Sequence, residues 1–151
     1  GLMLIWPCDL IVASEDALFQ DNTLDMGVSC VEYFAHPAEL GPRKAKELLF
    51  TSDWLGAVEA QQLGMVNHVV PPDELTDATL ALARRIAKKP MFALRLAKEA
   101  VNTFEEAQGR KAAMMNAFHL HQLCHSHNMQ VHELPIDPAY LSSGFGKSGD
   151  G

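Results

Sequence analysis

Short apolar runs dominate the first seventy residues, and longer helical periodicity takes over after Pro71-Pro72. The run Leu10-Ile11-Val12-Ala13, β-branched and bounded by Asp9 and by Ser14-Glu15-Asp16, predicts a buried strand. Ala17-Leu18-Phe19-Gln20 predicts a second. The stretch from there to Pro37 has no period and holds Gly27, Cys30, Glu32, Tyr33 and His36. Gly41-Pro42 should open a helix, since proline is tolerated in a first turn, with Ala45, Leu48 and Leu49 as its apolar face. A short helix is expected over Trp54 to Leu63, closed by Gly64, and a strand over Val66 to Val70 that Pro71-Pro72 ends, because proline cannot donate to a ladder.

From Asp73, read as an N-cap, Leu75, Thr79, Leu82 and Ile86 fall on one helical stripe, with Arg84, Arg85, Lys88 and Lys89 at the C-terminal end where the helix dipole favours cations. Pro90 should start a second helix with Leu94, Ala97, Val101 and Phe104 as its face. A third is expected from about Gln108 to His127, with Met114, Ala117, Phe118, His121 and Cys124 in line. The organisation predicted is a core over residues 1–72, a helical region over 73–134, and a Gly-, Ser- and Pro-rich mobile tail over 135–151.

Composition narrows the function classes. At 151 residues, 48% hydrophobic and 21% charged, the chain has the make-up of a folded soluble protein with one modest core. The apolar start, Leu2 to Trp6, is stopped by Pro7 and falls far short of the ~20 residues a membrane span requires. A net charge of -7 disfavours nucleic-acid binding, which needs a basic face. Three cysteines at wide spacing, without CxxC, suggest neither a disulfide framework nor a zinc ribbon, and a reducing cytoplasm fits them best. The first residue is Gly1, and a cut inside a longer protein is the expected origin of that end.

Three segments in fixed order carry a family resemblance. They are Gly1-Leu2-Met3-Leu4-Ile5-Trp6-Pro7-Cys8-Asp9-Leu10-Ile11-Val12-Ala13; then Ala17-Leu18-Phe19-Gln20 with Met26-Gly27; and, most specific, Gly41 to Asp53 with Glu59-Ala60-Gln61-Gln62-Leu63-Gly64-Met65-Val66-Asn67-His68-Val69-Val70-Pro71. Together they resemble the crotonase, or enoyl-CoA hydratase/isomerase, family in its C-terminal portion, over about Gly1 to Asn102. The resemblance implies an α/β fold of the crotonase (ClpP/crotonase) type, a ββα spiral of which this chain keeps the C-terminal part, followed by a helical oligomerisation region. It also implies an acyl-CoA substrate, no cofactor beyond the coenzyme A of that substrate, and a homotrimer or dimer of trimers acting on no nucleic acid and no membrane.

The chemistry implied is stabilisation of a thioester enolate by two backbone N–H groups. Gly1 matches the last glycine of the turn that carries one of them, so it would edge the oxyanion hole. Hydratases add two glutamates, since water addition requires a general base and a general acid. At those positions this sequence has Met3 and Thr23, neither of which transfers protons.

Glu32 is the replacement catalytic carboxylate this reading selects, near where some isomerases of the family place theirs; a buried carboxylate beside an acyl chain would have a raised pKa. The plainer reading makes Glu32 a solvated loop residue. Asp21 and Asp25 read as turn or capping residues and His36 as structural. His121 and His125 stand at i, i+4 as zinc ligands on a helix often do, yet no HExxH glutamate accompanies them and His119 and His127 point to other faces, so no metal is assigned. Cys8 and Cys30 have no activating partner that would make a nucleophile. The alternatives are a catalytically silent acyl-CoA-binding or subunit-interaction protein, favoured by Met3 and Thr23, and a thioester hydrolase. Residues 1–151 alone are expected to be inactive and a poor monomer.

Overall fold

The computed structural model describes residues 1–142. Helix α1 (Leu2–Ile5) is one turn, stopped before Pro7, and leads to β1 (Val12–Ser14) and β2 (Leu18–Phe19). An irregular segment with a 3-10 turn at Thr23–Met26 follows, and then α2 (His36–Thr51), β3 (Leu55–Gly56), α3 (Ala57–Leu63) and β4 (His68–Val70). Beyond it lie α4 (Leu75–Ala87), α5 (Met91–Ala107), α6 (Arg110–His132) and the short α7 (Pro138–Ser142).

The strands form two pairs. β1 runs parallel to β4, Val12 opposite His68 and Ser14 opposite Val70, so α2 and α3 make up the crossover between them. Asn67 extends that pair, its side chain and amide both bonding the backbone of Ile11. β2 pairs antiparallel with β3, and the Ala57 amide continues the ladder to the Ala17 carbonyl. This pairing explains why the helix expected from Trp54 begins only at Ala57: Leu55 is drawn into a strand and fully buried.

Gly41 breaks α2 with φ 73° and ψ 157°, a backbone state that glycine adopts without a steric penalty. The longer piece therefore starts at Pro42, where the sequence predicts a helix start, and an additional turn precedes it from His36. Leu2, Trp6, Ala13, Leu40, Leu48, Leu55, Ala60 and Val66 are among the residues of one core, gathered from α1, the strands, α2 and α3.

The helices after Pro72 pack more lightly. Neither α4 nor α5 has a buried residue. On the expected face of α5, Leu94 is half-buried, but Val101 and Phe104 are exposed. Asp73 lies inside a 3-10 turn, Pro72–Glu74, and does not cap α4. Of the stretch expected as a mobile tail, residues 135–142 are set against the 3-10 turn: the Asp137 amide bonds the Met26 carbonyl, and Asn128 of α6 bonds the carbonyls of Gly27 and Pro135. The rest of that expectation falls outside the described residues.

Candidate functional site

The irregular segment between β2 and α2 has no ladder to satisfy it, so side chains organise it. Asp21 is central. Its Oδ1 accepts from the Thr23 amide and hydroxyl, at 3.1 and 2.6 Å, and its Oδ2 accepts from the Val31 amide at 3.2 Å. The bond to the Thr23 amide is the turn role that the sequence suggests for Asp21. The same carboxylate also meets His36, Oδ2 to Nε2 at 2.9 Å, with both side chains wholly buried. The approach lies off the line of the ring N–H, so neither nitrogen of His36 has an aligned hydrogen bond. Burial pushes the Asp21 carboxyl up, but His36 and the two Thr23 bonds outweigh it and hold the group below its ordinary 3.8.

Trp6 and Phe34 enclose His36, with ring centroids at 4.6 and 5.1 Å. Thr23 is buried and its hydroxyl committed to Asp21. Gly1 is exposed at the start of α1, its carbonyl taking the Leu4 amide, and Met3 on the same helix is 43% exposed. Glu32 is exposed as well, its side chain at 45%, so the burial expected for this carboxylate is not found; its Oε1 lies 3.5 Å from Nε2 of His121.

α6 supplies the other side of that contact. His121 is buried and His125 half-buried one turn on, with Nε2 to Nε2 at 3.0 Å and rings nearly perpendicular. Each ring is anchored through Nδ1, His121 to the carbonyl of Cys30 at 2.7 Å and His125 to that of Pro135 at 2.6 Å. Among the described residues no group of three or more His, Cys, Asp or Glu side chains is arranged to hold a metal.

A cavity of about 700 Å³ opens on the other flank, between the Trp6–Ile11 stretch and helices α5 and α6, and is lined in part by Tyr33, Glu39, Lys98, Glu105 and Arg110. Tyr33 belongs to the irregular segment, whereas its neighbour Glu32 does not reach this cavity. Burial pushes the Glu39 carboxyl up and the charge of Glu105 adds to it. Arg110 offsets part of this charge by bonding Glu106 at 2.9 Å and approaching Glu105 at 3.4 Å, while also donating to the Tyr33 hydroxyl. Lys98 pairs with Asp9 across the cavity mouth at 2.6 Å.

Sequence reasoning missed the pairing of Asp21 with His36, for which no local pattern exists. It also missed Glu39. There a signal was available: Ala35, Ala38 and Glu39 follow the i, i+3, i+4 spacing of one helix face, and all three line the cavity.

The enoyl-CoA hydratase/isomerase family model matches residues 1–134. A Mycobacterium tuberculosis protein named "Putative enoyl-CoA hydratase EchA13" is 56% identical over 128 residues, covering 84% of this chain and 40% of the relative. A second protein of that organism, "(7aS)-7a-methyl-1,5-dioxo-2,3,5,6,7,7a-hexahydro-1H-indene-carboxyl-CoA hydrolase", is 38% identical over 103 residues, 68% of this chain and 41% of the relative. Among solved structures, that of "a probable enoyl-CoA hydratase" from Mycobacterium smegmatis superposes with a TM-score of 0.89 at 53% identity, over 90% of this chain and 55% of that one. The chain thus spans about half the length of these three proteins, or less. With 134 of its 151 residues matched by the family model and a helix-rich α/β fold shared with the solved hydratase, the chain belongs to the enoyl-CoA hydratase/isomerase family.

Proposed function

We propose that the protein carrying this chain binds an acyl-CoA thioester, stabilises its enolate with two backbone N–H groups, one of them in the turn that Gly1 edges, and moves protons with Glu32 instead of the two hydratase glutamates. One observation carries the reading. The Thr23 hydroxyl, which by the resemblance stands with Met3 at the two glutamate positions, is already given to Asp21, while Glu32 offers a carboxylate on the same segment with an imidazole at 3.5 Å. An accessible carboxylate within reach of an imidazole is a general acid/base of the kind that isomerisation or hydration of an enoyl thioester requires. Coenzyme A enters as part of the substrate and no further cofactor is invoked.

The test is turnover of a panel of enoyl-CoA thioesters by the whole protein, wild type against Glu32→Gln. A fall in kcat of roughly a hundredfold or more is expected, the usual contribution of a positioned acid or base. No turnover of any thioester by wild type would leave the second reading, a catalytically silent acyl-CoA-binding or subunit-interaction protein, which the loss of both glutamates favours. Release of free coenzyme A from saturated thioesters would instead mark a hydrolase, in keeping with the name of one relative.

Assembly as a homotrimer or dimer of trimers belongs to the same proposal. It is supported by the apolar side chains that α5 leaves exposed, Phe92 at 75% and Phe104 at 63% among them. The free thiols Cys8, Cys30 and Cys124 are in keeping with a reducing cytoplasm, and no helix among the described residues is long and apolar enough to cross a membrane.

A further inference from the structure

His121 and His125 lie one helical turn apart, and what their four ring nitrogens face decides how many protons they hold. His121 Nδ1 is 2.7 Å from the Cys30 carbonyl oxygen and 3.1 Å from that of Ser29; His125 Nδ1 is 2.6 Å from the Pro135 carbonyl oxygen. A carbonyl only accepts, so each Nδ1 must carry a proton. Turning either ring over would press a C–H against an oxygen at a distance only a hydrogen bond tolerates.

Both Nε2 atoms are thereby left with lone pairs, and they face each other at 3.0 Å in a part-buried setting. Two lone pairs at that distance repel, whereas one proton between them makes an aligned N–H···N bond. Three ring protons on two imidazoles give a net charge of +1. The anion set against that charge is Glu32, its Oε1 at 3.5 Å from His121 Nε2. Of the other groups nearby, the Cys30 thiol, pushed up to about 11 by burial and then by the charge of Asp21, stays neutral, Cys124 of α6 lies beside that thiol, and the segment before α7 presents the Pro135 carbonyl; the Asp21 carboxylate itself is taken up by Thr23, Val31 and His36.

We propose that His121 and His125 share one proton between their Nε2 atoms, and that the resulting monocation holds the Glu32 carboxylate ionised and in place. The second half of the statement rests on the reading of Glu32 given above; the first does not. Both histidines act as positioning residues, through Glu32.

The experiment is NMR of the whole protein labelled with 15N-histidine, read with the pH dependence of kcat/KM on crotonyl-CoA. Wild type should show both Nδ1 nitrogens protonated and one strongly deshielded ring proton. His125→Gln should abolish that resonance and move the acidic limb of kcat/KM to higher pH, by about one unit for a lost opposite charge at this range. Glu32→Gln changes an exposed side chain, so the fold should tolerate it; the resonance should survive and vanish at a lower pH than in wild type, because the cation has lost its counter-charge.

A wild-type spectrum without the deshielded proton, or its persistence in His125→Gln, overturns the shared proton. A resonance lost in His125→Gln with an unmoved rate profile overturns the role toward Glu32. Turnover unaffected by Glu32→Gln would defeat the reading of Glu32 as acid/base and leave the shared proton standing on the spectrum alone.

Discussion

Asp21 and His36, fifteen residues apart in sequence, meet at 2.9 Å with no exposure of either side chain, and this contact ties the end of β2 to the start of α2. The loop between them carries both Thr23 and Glu32, so the pair fixes the frame from which the candidate chemistry is presented. Trp6 stacked edge-on against His36 couples the same frame to α1 and hence to Gly1.

Removing this buried carboxylate takes a partner away from His36 and from the Val31 amide together. Asp21→Asn is expected to destabilise the protein by about 3 kcal/mol at neutral pH, at the lower end for broken buried pairs because an amide oxygen can keep the two Thr23 bonds while only the Val31 bond is lost with the charge. The pH dependence has a definite sign. The folded carboxyl lies below its ordinary 3.8, so its contribution is complete above that pH and is lost as pH falls through the lower folded value. Urea unfolding should therefore show a gap between wild type and Asp21→Asn that is constant from pH 5 to 7, in keeping with a carboxylate near pH 4, and closes only in stronger acid. A gap that closed near neutrality would assign the stability to another group.

Gly27 ends the 3-10 turn at φ 70°, and a Cβ there would stand 2.9 Å from the Cβ of Asp137. Gly27→Ala should cost roughly 1 to 2 kcal/mol from the left-handed backbone, and it should loosen the docking of the Asp137 segment on the turn. Hydrogen exchange would read the second effect directly. Faster exchange of the Asp137 amide, now bonded to Met26, is expected in the variant with little change in β1 and β4.

Much of the secondary structure could be read from periodicity, because helices such as α4, α5 and α6 repeat their signal over several turns. β3 could not be read, since two residues are too few for an alternation and its existence depends on β2 lying alongside. The candidate site was legible one residue at a time. The sequence singles out Glu32, His36, His121 and Asp21, and the i, i+4 spacing of His121 and His125 is visible in it. Which of them touch is decided by an aperiodic loop folding against a helix ninety residues later, and no local rule contains that information. Exposure of Phe104 and Val101 is a related case: the stripe is written in the sequence, but what it packs against is not.

Glu39 offers a stability test of opposite sign. Its folded carboxyl lies above the ordinary 4.5, first through burial and then through Glu105. The folded state thus binds this proton more tightly, and stability falls as pH rises from 4.5 through the folded value. Glu39→Gln should match wild type in acid and exceed it above that window, by less than about 1 kcal/mol because solvent screens a half-exposed group. Thermal denaturation at pH 4 and pH 7.5 would show the crossover, and a variant less stable than wild type at the higher pH would mean that Arg110 already compensates the charge.

Cys8 and Cys30 should separate sharply in reactivity. Cys30 is buried, and its thiol is pushed up to about 11 by burial, then by the nearby charge of Asp21. At pH 8 only roughly one molecule in a thousand would hold it as the reactive thiolate. Cys8 is exposed on the turn after α1. Iodoacetamide at pH 8, followed by mass spectrometry of the native protein, should therefore alkylate Cys8 within minutes and leave Cys30 unmodified until denaturant is added. Asp21→Asn should increase the labelling of Cys30, because it removes a charge that opposes the thiolate. Equal rates for Cys8 and Cys30 in the native protein would mean that the loop between β2 and α2 opens faster than alkylation, and that the Asp21–His36 contact does not hold it closed.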